Sequence, residues 1–447
     1  MMTKPSIGWR SICDGGAQVD LRQRERSHAA VLILVSAVTL AVVLSATDAW
    51  AAPKYKVLHS FSTGNGGGGL WGSLTLDSKD NIYGTTIGGG VHNGGTVFEL
   101  SHSAGGRWRE AVLHSFNYRK DGNAPFGGPI FDSLGNLYGP LSTGGTYQAG
   151  AVFELTPGSA GWKETILHSF CATQHCGDGS GPFSGLTLDV DGNVYGTTFG
   201  GGQYGGGAVF ELAHSSKGWT EDVLYSFCPK VPCVDGDAPY AGLTWDTAGN
   251  LYGTTELGGK DSPDYGTVFE LEHKPDGTWQ HILLHSFPSF PGDGEVVYAG
   301  LVFDSAGNLY GATQGGGGHL CGSATCGTVF KLSPQTNGQW KETILYRFPK
   351  PINGNSPGAS LVFDQAGNLY GTTALGGNTA CANGCGVVFK LTPGSNGTWK
   401  YSVLHRFTGS DGANPAAALI LDQKGNLYGT TTLGGAGGYG VVFEITP

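Results

Sequence analysis

From residue 55 to the last residue, apolar and polar positions alternate in short runs, and each run stops at Gly, Pro, Asn or Asp. Alternation with period two, bounded by turn formers, is the signature of half-buried β-strands. In one stretch it predicts strands at Gly185–Asp189, Asn193–Thr198, Ala208–Leu212 and Trp219–Phe227. No segment of useful length carries a helical 3.6-residue period. The same phrasing returns along the whole chain: the pair Tyr-Gly starts at 83, 138, 195, 252, 310, 370 and 428, at spacings of 55 to 60. Seven repeats of four short antiparallel strands predict an all-β fold, a seven-bladed β-propeller. A β-solenoid is disfavoured, because its coils are shorter and its ends need distinct caps. The chain opens on an outermost-type strand, Tyr55–Phe61, and closes on a third-type strand, Val441–Ile445. The last blade should therefore be closed by the N-terminal strand, which leaves no open sheet edge.

We label the strands of a blade a to d from the axis outward, with the short apolar Gly-Leu-x-x-Asp phrase as strand a. The Gly-Gly loops are then b–c connections and the Asp-Gly-x-x-Pro loops are d–a connections, and both sets share one face. Variable loops on a rigid scaffold are where binding usually resides. Aromatic residues near strand a run Trp71, Phe126, Phe183, Tyr240 and Tyr298, then give way to Gly358 and Ala416. The fourth blade departs most from the repeat. Its loops carry Asp235, Asp237 and Tyr240 on one side, and Glu256, Asp261, Asp264 and Tyr265 on the other. Carboxylates beside aromatic rings suit sugar recognition. They also suit glycoside hydrolysis, which needs two carboxyl groups at about 5 Å or about 6.5–9.5 Å. A merely solvated loop is the plain alternative.

The phrases Asn250-Leu251-Tyr252-Gly253-Thr254-Thr255 and Gly266-Thr267-Val268-Phe269-Glu270-Leu271, with their six counterparts, resemble the tandem repeat of the GloVer-repeat proteins, an exported bacterial family. The resemblance spans residues 55–447. It implies an extracellular or surface location, and it implies no activity.

Composition fits this picture. Gly makes up 79 of 447 residues without a collagen period, and 11% aromatic residues leave enough apolar surface for a core. The net charge is −10, with no run of Lys or Arg, so no nucleic-acid partner is expected. Residues 1–51 read as a signal peptide: Arg22, Arg24 and Arg26 precede the apolar stretch 29–45, and Ala49-Trp50-Ala51 is a cleavage signal. An uncleaved signal anchor is the alternative. No second apolar stretch follows, so residues 52–447 form the propeller, with no membrane span in the mature chain. A secreted, periplasmic or cell-surface monomer is expected. Eight cysteines fall in close pairs, Cys171/Cys176, Cys228/Cys233, Cys321/Cys326 and Cys381/Cys385. Each pair sits inside one loop, which reads as local disulfides in an oxidising compartment rather than as zinc ligands.

Three repeated residues read as structural. Asp77, Asp132, Asp189, Asp246, Asp304, Asp364 and Asp422 each precede a tight turn, where a carboxylate accepts backbone N–H groups. The Trp that stands six residues before the His of Leu-His-Ser-Phe keeps its place in blade after blade, as packing requires. That His is replaced by Tyr at 225 and 346, and a His that exchanges freely with Tyr is a poor candidate for a metal ligand or general base. Familiar catalytic and phosphate-loop motifs are absent, and no cofactor or metal is expected. The first functional reading is a non-catalytic scaffold that binds a polysaccharide or a surface protein through the loop-rich face. The second is a secreted carbohydrate-active hydrolase or lyase that uses carboxylates of that face.

Overall fold

The computed structural model describes residues 52–447, apart from 63, 65, 104, 261–264, 289–291 and 322–323, and gives the backbone alone at 320, 321, 324 and 325. The predicted leader, residues 1–51, lies outside the described residues. Seven four-stranded antiparallel sheets form a β-propeller. Among the described residues the helical elements are three single 3₁₀ turns. In the first blade the strands are Thr75–Leu76, Ile82–Thr86, Thr96–His102 and Trp108–Ser115. The seventh blade takes Ile420–Leu421, Leu427–Thr430 and Val441–Thr446 from the C-terminus and Lys54–Ser60 from the N-terminus. Tyr55 pairs with Ile445 and Val57 with Phe443, so the ring closes as the strand pattern predicts.

The strand bounds differ from expectation in two ways. In the third blade strand a shrinks to Thr187–Leu188, because Gly185 and Leu186 turn into the lining of the axial cavity. Strand c lengthens to Ala208–Ser215, paired with Gly218–Ser226 in a long outer hairpin. The pairing of strands c and d also shifts register in every blade, as between Val209 and Phe210. The unpaired residue is the Leu of Leu-His-Ser-Phe, a β-bulge that lays Leu224 on the core beside Phe227.

The core is not one cluster but seven, each shared by two neighbouring blades. Between blades one and two, Tyr83, Val97 and Phe116 meet Leu137, Leu141 and Phe153. Blade-to-blade packing therefore holds the ring, and near the axis threonine hydroxyls add to it. Thr85 Oγ1 donates to the Gly127 carbonyl and Thr254 Oγ1 to that of Ala299. The Gly of each Tyr-Gly pair has a steric cause. Gly253 lies opposite Phe269, and a Cβ on it would stand 2.5 Å from Phe269 Cζ and 3.0 Å from Leu243 Cδ2. The equivalent contact is 2.5 Å at Gly84 and 2.6 Å at Gly429. Gly253→Ala should therefore cost about 1–3 kcal/mol through overpacking. Urea denaturation reads this as a lower midpoint at unchanged slope; an unchanged midpoint refutes the packing account.

The seven repeated Asp residues organise the a–b turns. Asp246 Oδ1 accepts from the Ala248 and Asn250 amides at 2.8 and 2.9 Å, and its Oδ2 accepts from the Asn250 side chain and the Tyr252 hydroxyl. Burial alone would raise such carboxyls, but these donors outweigh it and hold Asp77, Asp304, Asp364 and Asp422 below the usual Asp range.

Along the outer seams, the His or Tyr of the Leu-His-Ser-Phe phrase and its variants meets the residue four places before the equivalent His or Tyr of the next blade. Where the second residue is aromatic, the rings stack. Tyr225 lies on His281 at 4.5 Å, Tyr346 on Tyr401 at 4.2 Å and His405 on Tyr55 at 3.7 Å. Where it is Glu, a carboxylate faces the ring, as His59 faces Glu110 at 3.3 Å. Glu221 is one of these carboxylates; burial first, then Asp178 and Asp222, push it up to about 7. A carboxyl raised on folding contributes stability at acid pH that is lost as pH climbs from the unfolded value towards 7. Glu221→Gln should therefore melt above the parent at pH 8 and close to it at pH 4. Equal melting temperatures at both pH values would remove the buried charge as the cause.

Candidate functional site

The two loop sets meet on one face, as their strand order requires. In every blade a d–a loop pairs with a b–c loop through backbone bridges such as Asn123 with Thr143, Asp237 with Leu257, and Gly294 with Gly316. Cys171–Cys176 and Cys228–Cys233 close d–a loops, and Cys381–Cys385 closes a b–c loop. Cys326 is also disulfide-bonded, while the side chain of Cys321 lies outside the described residues. Among the described residues no helix is long and apolar enough to cross a membrane. The three described disulfides fit an extracellular or periplasmic protein.

At the centre of this face, the start of strand a from all seven blades lines an axial cavity of about 670 Å³. This is within the roughly 300–1,000 Å³ range of small-molecule sites. Five blades contribute a ring, and the rings touch in sequence. Trp71 lies 5.6 Å from Phe126, Phe126 lies 5.3 Å from Phe183, Phe183 stacks on Tyr240 at 5.4 Å, and Tyr240 meets Tyr298 edge-on at 4.9 Å. The remaining two blades place Gly358 and Ala416 there, so the aromatic arc faces a wall without rings. Gln314, Ser356 and Asn414 supply polar groups to the same lining.

No charged side chain lines the cavity among the described residues. Glu256 stands behind the lining, where the Tyr298 hydroxyl donates to its Oε1 at 2.6 Å. Burial first, then Glu256, push both Tyr298 and Tyr240 above the ordinary tyrosine range. Their hydroxyls therefore act as neutral hydrogen-bond donors and acceptors.

The candidate residues of the fourth blade are separated by this geometry. Tyr240 and Glu256 belong to the cavity and its Tyr298 support. Asp235 Oδ2 accepts from the Tyr225 hydroxyl at 2.7 Å and from the Cys228 amide at 3.2 Å. It holds its own loop and borders a separate depression with His281 and Pro232. Asp237 lies at the loop–loop bridge with Leu257. Tyr265 packs into the seam with Phe287 and Val297, away from Tyr240. Asp261 and Asp264 lie outside the described residues. The aromatic run from Trp71 to Tyr298 was visible in the sequence; its convergence on one cavity was not, because each ring comes from a different repeat.

A family model described as the Gloeobacter/Verrucomicrobia repeat matches residues 47–189, 172–380 and 320–447. No curated protein matches the chain. Among solved structures, a provisionally named 6-phosphogluconolactonase from Bacteroides uniformis is 14% identical with a TM-score of 0.47, over 78% of this chain and 88% of that one. A provisionally named oxidoreductase (glucose dehydrogenase) from Thermus thermophilus is also 14% identical, with a TM-score of 0.41, over 88% of this chain and 100% of the other. At these identities and scores neither carries its chemistry to this chain.

Proposed function

The chain belongs to the Gloeobacter/Verrucomicrobia repeat family, and from that premise we propose that it is an exported, non-catalytic scaffold that binds an uncharged glycan in the axial cavity. The observation that carries this reading is the five-ring arc over a cavity that, among the described residues, is lined by no charged side chain. Pyranose rings present apolar C–H faces to aromatic planes and hydroxyls to groups such as Gln314, Asn414 and the two tyrosines. A uronate or phosphate would find no cation in that lining. Exposed Tyr118, Tyr147, Tyr204 and Tyr439 in the surrounding loops extend the apolar character of the face, as interaction surfaces do. Residues 1–51 are the leader that exports the chain, and the disulfides form in the compartment it reaches.

The hydrolase reading needs a pair of carboxyls at the reacting bond, and the described lining supports it with none. A panel of immobilised neutral and uronate polysaccharides tests the proposal. Retention of neutral glycans without release of reducing sugar is the expected result. Retention of the uronates alone would overturn the neutral-ligand reading, and released reducing sugar would transfer the site to catalysis.

A further inference from the structure

At two of the outer seams a third ligand-type side chain joins the His and Glu. His114, Asp121 and Glu164 form one group and His285, Asp293 and Glu342 the other, and in each the three ligand atoms lie within 4.8 Å of one another. We infer that these two seams are divalent transition-metal sites, with zinc the ion their donors suit best. Each site draws His and Asp from one blade and Glu from the next, so a bound ion would clip neighbouring blades together.

The hydrogen bonding leaves room for such an ion. His285 Nε2 is buried without a hydrogen-bond partner among the described residues, an arrangement that is costly unless something satisfies it. Glu164 Oε1 and Glu342 Oε1 are likewise unpartnered, as are Glu110 Oε1 and Glu221 Oε1 at seams outside these two groups. Asp121 keeps its loop closed through Oδ1, which accepts from the Asn117 amide, while Oδ2 faces His114 Nε2 at 3.0 Å. One imidazole and two carboxylates match the mixed nitrogen and oxygen set of zinc, with the remaining position left for water. Calcium and magnesium prefer oxygen alone and more of it. The side chains at these seams are partly exposed, so an ion can reach them.

The related seams show what the sites require. At His168 the Asp178 carboxylate is already saturated by the Ala172 and Thr173 amides and the Thr173 hydroxyl. The seam of Tyr346 and Tyr401 closes by ring stacking alone. The triad is therefore not what the fold demands at that position.

The test is calorimetric titration of untagged, chelator-stripped protein with zinc, magnesium and calcium at neutral pH. Two zinc ions per chain are expected, at least about a hundredfold tighter than magnesium or calcium. Glu342→Gln should reduce the count to one, and Glu164→Gln with Glu342→Gln to none, with circular dichroism unchanged. If a Glu variant fails to fold, His114→Gln and His285→Gln read the same sites. Absence of zinc binding by the parent, or an undiminished count in the folded variants, would overturn the assignment.

Discussion

A chain that begins at residue 62 is expected to lose cooperative folding at room temperature. Removing residues 52–61 deletes the outer strand of the seventh blade and leaves Val441–Thr446 as an open edge, a template for aggregation. The loss reaches past one strand. Phe61 is 1% exposed and packs 5.0 Å from Phe98 of the first blade, while Tyr55 stacks on His405 of the sixth. Deleting a buried Phe alone costs about 3–5 kcal/mol, a large part of the roughly 5–15 kcal/mol that holds a domain together. Appending residues 53–61 after Pro447 through a short turn should restore folding, because the seventh blade would then take all four strands from consecutive chain, as the other six do. The measurement is thermal denaturation of the parent, truncated and appended chains. A truncated chain that melts with the parent would mean that strand closure is dispensable.

Trp71→Ala with Tyr240→Ala should abolish glycan retention while the melting temperature moves little. Trp71 is 38% exposed at one end of the arc, and Tyr240 stacks on Phe183 towards the other. Ring stacking is worth about 1–3 kcal/mol per platform where it has been measured for bases. Each loss then weakens binding about five- to a hundredfold, and both together about 25-fold at the least. Tyr265→Ala is the contrasting control: this ring packs in the seam with Phe287 and Val297, so its removal should lower the melting temperature and spare retention. Retention that survives the double variant, or falls only with Tyr265→Ala, would place the ligand outside the axial cavity.

What could be read from the chain alone was most of what one repeat encodes within itself. Strand alternation, the Gly and Asn turns, and an Asp whose carboxylate binds amides two and four residues on are short-range arrangements, and seven copies of them make seven blades. Closure was legible too, because the strand missing from the last repeat is the one with which the chain begins. Within the repeat, the bulge at Leu224 gave only a faint signal, a Leu beside Val223 where strict alternation would place a polar residue. Other features depend on which repeats become neighbours. The arc from Trp71 to Tyr298 exists because strand a of every blade points to a common axis. Tyr240 and Tyr265, assigned to one blade by sequence, separate because one faces the axis and the other a seam. His285 meets Glu342 only across the boundary between two blades. Local hydrogen bonds and side-chain alternation set the blade, whereas radial position and ring closure decide which side chains of different blades share a cavity or a seam.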